Sequence, residues 1–159
     1  MGKVTVIGGA GFLGRYLVKR LAQQGLQVRV AVRDPEAASF LKPMGDVGQV
    51  QPIQANIRNQ ASIARAVAGA DVVINLAGVM FPGGAQSFQA VHVDGAETVA
   101  RAAAAAGVGR LIHISAIGAD AEADSKYARS KATGEAMVRA AYPDASIVRP
   151  STIFGAADH

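Results

Sequence analysis

The sequence predicts a doubly wound parallel α/β sheet with helices on both faces, a three-layer αβα arrangement. Three observations predict it. Short apolar β-rich runs alternate with helix-patterned segments along the whole chain. Half of the residues are apolar while only 5% are aromatic. The first β-run also opens directly onto a cluster of glycines. A core with so few rings must be built from Val, Ile, Leu and Ala, which suits a parallel sheet buried under Ala-rich helices. At 159 residues, one domain over 1–159 with one core is expected.

Taken in order, Lys3–Ile7 is the first strand, followed by Gly8, Gly9, Ala10 and Gly11. Residues 12–24 carry a helical period, with Leu13, Leu17, Val18 and Leu21 on one face and Gly25 as the terminating glycine. Gln27–Val32 is the second strand. Residues 34–48 contain Pro35, Pro43, Gly45 and Gly48 and predict a short helix plus loop. Val50–Gln54 is the third strand, and a helix over 61–67 is capped near Asn59. Residues 71–75 form a fourth, nearly all-apolar strand. After a loop at 81–84, one long helix is expected over 86–106, broken by Gly107. Arg110–Ile114 is the fifth strand, Lys126–Ala141 a helix stopped by Pro143, and 145–148 the sixth strand. Right-handed crossovers then give the doubly wound sheet. Strand count alone also fits flavodoxin-like sheets, so the motifs must decide.

Composition excludes several functions. The net charge of +4 comes from basic residues scattered between Lys3 and Arg149 without a run, which argues against a nucleic-acid surface and suits a small anionic ligand. There is no Cys, so disulfides and Cys-ligated zinc are ruled out. His92, His113 and His159 lack ligand spacing; they read as helical, strand and terminal residues, with no metal site. No apolar run is long enough to span a bilayer. Met1 leads at once into a β-run, so a cytoplasmic location without a leader is expected.

The glycine pattern carries the chemistry. Gly8, Gly11 and Gly14 follow a strand and open a helix, the context in which such a pattern binds a dinucleotide. Gly8 permits the tight turn, Gly11 lets the backbone approach a pyrophosphate, and Gly14 allows close helix packing. Phe12 and Leu13 belong to the same phosphate-facing helix start, whose free N–H groups and dipole attract anions. The spacing is G-x-x-G-x-x-G; the bland alternative is a tight turn with no ligand. Eighteen residues beyond Gly14 comes Val32 and then Arg33, where an NAD site would carry an acid. Arg33 pairs naturally with a 2′-phosphate, so NADP(H) is expected over NAD(H). Asp34 next door would restore the acid if the register shifted.

Tyr127 and Lys131 stand four apart on the expected helix and share a face. A phenol ionises near ~10 in water; a neighbouring ammonium would pull it down and make Tyr127 an acid/base for a carbinol oxygen during hydride transfer. Lys131 would also reach the nicotinamide ribose. Ser115, just past the fifth strand, would orient a substrate carbonyl; its bland alternative is a strand-end hydroxyl satisfying local backbone. Asn56 and Ile57 would meet the adenine, Ala77 and Gly78 would let a ribose lie close, and Pro150, Ser151 and Thr152 would border the nicotinamide.

With these residues in hand, the chain resembles the extended short-chain dehydrogenase/reductases, the NAD-dependent epimerase/dehydratase group. The likeness rests on the glycine turn, Tyr127, Lys131 and the stretch from Arg149 to Gly155. It is closer still to the atypical branch that includes the NADPH-binding accessory subunit of mitochondrial complex I, alpha subcomplex subunit 9, and its bacterial relatives. That likeness is carried by Gly11 to Tyr16, Leu41 to Gln49, Val72 to Leu76 and Tyr127 to Glu135. The Leu-Lys-Pro-Met-Gly-Asp stretch at 41–46 is absent from generic dehydrogenases. The resemblance implies a Rossmann fold binding NADP(H) or NAD(H), an oxidoreductase or nucleotide-sugar epimerase-like activity, and an unidentified small-molecule substrate.

Two departures bear on that implication. Family enzymes carry an Asn in a Val-Asn-x-x-Gly-Thr-like segment, and the matching position is read as Asp94, which breaks the usual proton relay. Family members also continue into a substrate-binding region, so this chain is expected to be a truncated product or an excised domain that binds cofactor without efficient turnover. A non-catalytic accessory subunit of respiratory NADH:ubiquinone oxidoreductase, peripheral to the inner membrane, is the alternative function. A sensor that binds NADP without turnover is a third. An open sheet edge at the sixth strand would favour a homodimer.

Overall fold

The computed structural model describes residues 2–156 and 158. Six parallel strands form one sheet: β1 (Lys3–Ile7), β2 (Gln27–Val32), β3 (Val50–Gln54), β4 (Val72–Asn75), β5 (Arg110–Ile114) and β6 (Ser146–Val148), in the order β3-β2-β1-β4-β5-β6. The order reverses between β1, which pairs Val4 with Val28 of β2, and β4, where Val72 pairs with the other side of Val4. Ligand clefts form at such a switch point, beyond the carboxyl ends of the strands.

The helices divide by face. α1 (Phe12–Gln23) and a 3₁₀ segment, Ser39–Met44, cover one side, over a core of Val6, Val18, Val28, Val30 and Leu41. On the other side α2 (Gln60–Val67), α3 (Ala96–Ala105) and α4 (Lys126–Ala141) bury Ile63, Val73, Val99, Leu111 and Val138. The predicted strands therefore stand, with β4 and β6 each one residue shorter. Asp71 stands just before β4, where its carboxylate accepts the Lys3 N–H at 2.8 Å. Asn59 caps α2 as expected, accepting the Ser62 N–H at 2.9 Å.

Three local expectations change. The buried stripe of α1 is Gly14, Val18 and Ala22, rotated from the leucine face, because small residues at its two ends let the helix approach the sheet. The short helix within 34–48 is 3₁₀, with Pro43 inside it. The long helix over 86–106 begins later and divides: Gln89–Gly95 is a π-helical turn that runs into α3. Gly95 and Gly134 explain why such a wide turn is accommodated. A Cβ on Gly95 would meet Ile57 Cγ1 at 2.8 Å, and one on Gly134 would lie 2.0 Å from the His92 carbonyl oxygen. Gly134 lets α4 press directly onto the turn, and Gly95 lets the turn pack onto Ile57 after β3.

Candidate functional site

A cleft of about 570 Å³ lies at the carboxyl ends of β1, β2, β3 and β4. Gly8, Gly11, Arg33, Asn56, Ile57, Ala77 and Gly78 all line it, so seven residues expected at a cofactor share one cavity. Gly8 has φ +78°, a left-handed conformation that favours glycine, and a Cβ there would sit 3.1 Å from Ala77 N. Gly11 has only Gly8 O near its absent Cβ, at 3.7 Å, leaving the backbone open to a ligand. No side chain caps the start of α1, so its first N–H groups are free for an anion. A dinucleotide pyrophosphate fits this turn.

Phe12, Leu13 and Gly14 are not on the cleft wall. Gly14 acts through packing: a Cβ there would lie 2.3 Å from Gly9 O. Gly9, not singled out from sequence, is as constrained, with a Cβ 2.6 Å from Val30 Cγ1. Phe12 packs edge-to-face with Tyr16, ring centroids 5.6 Å apart, and near Gly155. At the far end of the cleft, Asp34 Oδ1 accepts the N–H groups of Glu36 and Ala37 at 3.0 and 3.2 Å. It caps the turn that brings Phe40 to the wall beside Arg33.

Tyr127 and Lys131, both on α4, are likewise off the cleft wall; Lys131 backs onto it at Gly78, and Tyr127 packs beside His92. Lys131 is 5% exposed; its Nζ donates to Ile114 O at 3.1 Å and would lie 4.0 Å from a Cβ on Gly78. The Tyr127 ring meets Phe88 and His92 edge-to-face at 5.8 and 5.4 Å. Burial pushes the Tyr127 phenol up from its ordinary value, the reverse of the expected depression by Lys131. Lys131 is itself desolvated, which lowers it to about 8 against the pull of Glu135.

His92 is the residue that sequence reasoning passed over. Its Nε2 accepts the Val79 N–H at 3.0 Å, so the proton sits on Nδ1, 2.9 Å from Ser130 Oγ. Ser130 in turn donates to Tyr127 O at 2.7 Å. Burial, then the charges of Lys131 and His113, lower His92 to about 4, so the ring is neutral at pH 7. One imidazole thus ties the cleft wall at Val79 to the helix carrying Tyr127. The available signal was a histidine set between buried valines, Val91 and Val93. Asp94, read as the family's Asn position, is exposed and accepts from Gln89 Nε2 at 2.9 Å. Within this segment it is His92 that faces the Tyr127–Lys131 pair.

Ser115 does not reach the site as expected. Its Oγ is sealed from solvent and faces the Glu135 carboxylate, whose acidity it strengthens, short of full hydrogen-bond geometry. Burial pushes Glu135 up, but Arg149 binds both its oxygens at 2.8 and 2.6 Å and, with Ser115 and Arg139, holds it below the usual range. Ser115 thus packs against the buried Glu135 carboxylate, which half-exposed Arg139 and Arg149 pair from outside, and its hydroxyl is not on the cleft wall. Pro150 and Ser151 also lie off the cleft wall; Pro150 O accepts the Ile117 N–H at 2.9 Å, prolonging the β5–β6 pairing. Among the described residues no cluster could hold a metal ion and no helix is long and apolar enough to cross a membrane. His159 lies outside the described residues.

Comparison with known proteins agrees with this geometry. A family model described as NAD(P)H-binding matches residues 8–155. The chain is 44% identical over 154 residues to the mitochondrial NADH-ubiquinone oxidoreductase 40 kDa subunit of Neurospora crassa, covering 97% of this chain and 41% of that protein. It is 40% identical over 157 residues to a ceramide reductase of Caulobacter vibrioides, covering 99% and 48%. It thus spans less than half the length of these relatives. A dTDP-glucose 4,6-dehydratase from Streptomyces venezuelae, solved with NAD and TYD bound, superposes with a TM-score of 0.82 at 26% identity, over 99% of this chain and 58% of that one. The glycine turn, the switch-point cleft and these matches agree: the chain belongs to the NAD(P)H-binding family of Rossmann-fold, epimerase/dehydratase-like short-chain dehydrogenase/reductases.

Proposed function

We propose that this domain serves an NADP(H)-dependent oxidoreductase in which Tyr127 handles the substrate proton and Lys131 supports it. The observation that carries the reading is the single cleft joining the open Gly8–Gly11 turn, Arg33, and the Gly78 wall that backs onto Lys131. Gly8, Gly11 and the α1 N-terminus would hold the pyrophosphate, Asn56 and Ile57 the adenine, Ala77 and Gly78 a ribose, and Arg33 the 2′-phosphate. When bound, the cofactor supplies or accepts hydride. Because burial raises the Tyr127 phenol, it keeps its proton at pH 7 and is suited to donate from Oη to a carbonyl oxygen as that carbonyl is reduced. The protonated phenol is the form that a carbonyl reduction uses. Phe88 and His92 fix the ring's orientation, and the neutral His92 adds no charge to oppose proton donation.

The Caulobacter relative is a reductase by name. The exposed Met80, Phe81, Ile117 and Phe154, all beyond the carboxyl ends of β4, β5 and β6, suit a substrate with an apolar body better than a sugar nucleotide. A second reading is a non-catalytic subunit of a respiratory NADH:ubiquinone oxidoreductase at the inner-membrane periphery, in which bound NADPH stabilises the fold. The 44% identity to the 40 kDa subunit over nearly the whole chain favours it. In either setting β6, an edge strand of three residues, offers backbone groups for pairing two chains, which light scattering would register as a dimer.

Calorimetric titration with NADPH and NADH tests the cofactor assignment. NADPH is expected to bind more tightly, and Arg33→Ala to remove about tenfold or more of that advantage, the worth of a charge-assisted phosphate contact. Equal or NADH-preferring binding would refute it. Steady-state carbonyl-dependent NADPH oxidation by the full-length protein, abolished in Tyr127→Phe, separates the enzyme from the accessory subunit.

A further inference from the structure

We propose that Arg15, braced by Phe40, is a second 2′-phosphate ligand and a determinant of NADPH over NADH; this rests on the NADP(H) reading above. Arg15 is the fourth residue of α1, immediately after the packing glycine Gly14. Its Nε donates to Ala10 O at 3.4 Å, and its Cζ sits 4.7 Å above the centroid of the Phe40 ring. Ala10 and Phe40 both line the cleft, as do Arg33 and Asp34. Arg15 therefore bridges the glycine turn and the loop after β2, at the end of the cleft where the adenosine ribose would lie.

The charges at this end are unbalanced. Among the described residues neither Arg15 nor Arg33 joins an ion pair. The one carboxylate on the cleft wall, Asp34, is committed through Oδ1 to two backbone N–H groups of its own turn. Two guanidinium groups against one carboxylate leave this end of the cleft net positive, which suits a doubly charged oxyanion better than a neutral ribose hydroxyl. The Phe40 ring holds the Arg15 guanidinium over its face by cation–π attraction. With Nε on Ala10 O, its two Nη groups make no hydrogen bond to the described residues. Phe40 thus gives this loop a role that its 41% exposure would otherwise leave unexplained. Arg33 reads the phosphate from β2 and Arg15 from α1, so the cofactor's 2′-phosphate would also clamp the two elements together.

The test is calorimetric titration of wild type, Arg15→Ala, Arg15→Lys and Phe40→Leu with four probes: NADPH, NADH, 2′,5′-ADP and 5′-AMP. Arg15→Ala is expected to weaken NADPH and 2′,5′-ADP by about ten- to a hundredfold and leave NADH and 5′-AMP within about twofold. Arg15→Lys keeps the charge without the planar fork and is expected to fall between. Phe40→Leu is expected to lose part of the same preference. Retention of the full NADPH preference in Arg15→Ala, with its loss in Arg33→Ala, overturns the role of Arg15 and leaves the cofactor reading standing. Equal weakening of all four probes by Arg15→Ala also overturns it, since that is the signature of a disturbed fold. A wild-type chain that binds NADPH and NADH alike overturns both.

Discussion

Replacing Gly134 by alanine sets two physical effects against each other, and the structure predicts which wins. Gly134 lies inside α4, where alanine is favoured by ~1 kcal/mol on helix propensity alone. The added Cβ, however, would stand 2.0 Å from the His92 carbonyl oxygen and 3.1 Å from its carbon. The atom it meets is backbone, which cannot swing aside as a side-chain end would. Relief requires α4 to move by roughly 1 Å from the π turn, toward normal contact. The same movement stretches the 2.9 Å link between His92 Nδ1 and Ser130 Oγ beyond bonding range and strands a buried N–H. Overpacking of this kind costs about 1–3 kcal/mol, and an unsatisfied buried donor about 1–3 kcal/mol. After the propensity gain of ~1 kcal/mol, a net loss of about 1–5 kcal/mol is expected, centred near ~3. For a domain of this size that lowers Tm by roughly 5–10 °C. Thermal and urea melts followed by circular dichroism measure it, and NADPH titration should show weaker binding because α4 carries Tyr127 and Lys131. A variant that melts at or above the wild-type temperature would refute the reasoning.

Two further outcomes follow from the same structure. Gly14→Ala places a Cβ 2.3 Å from Gly9 O and 2.5 Å from Gly9 Cα, forcing α1 off the turn; a loss of about 3 kcal/mol with abolished NADPH binding is expected, and a wild-type titration would contradict it. His92 and His113 are both lowered from 6.5 to about 4, chiefly by burial, so between these values the unfolded chain takes up protons that the folded chain refuses. Their contribution to stability is complete above pH 6.5 and is lost as pH falls toward 4. Urea midpoints should therefore drop steadily from pH 7 to 4.5, while the ring C–H resonances of both histidines stay unprotonated in folded protein. A folded-state ring titrating near pH 6.5 would contradict this.

The sequence by itself determined the sheet, because the signals for it are local. Runs of β-branched residues separated by helical periods define the strands to within a residue, and Asn59, Gly25 and Gly107 mark helix ends through side-chain or backbone chemistry that needs no distant partner. Gly8, Gly11 and Arg33 were legible for the same reason: a strand, a glycine turn and a helix start lie within a few residues of one another. Only the tertiary structure decided what each polar side chain faces. Ser115 stands one residue past β5, yet its hydroxyl turns toward Glu135 on α4 and away from the cleft, a fact set by a packing partner twenty residues away. The π turn that aims His92 at Ser130 and Tyr127 depends on Gly134, far along the chain, being small enough for two backbones to touch. The Tyr127 phenol rises because burial outweighs the effect that spacing to Lys131 suggested. Periodicity reports which face is apolar; desolvation, tautomer and close backbone contact arise only when segments remote in sequence are brought together.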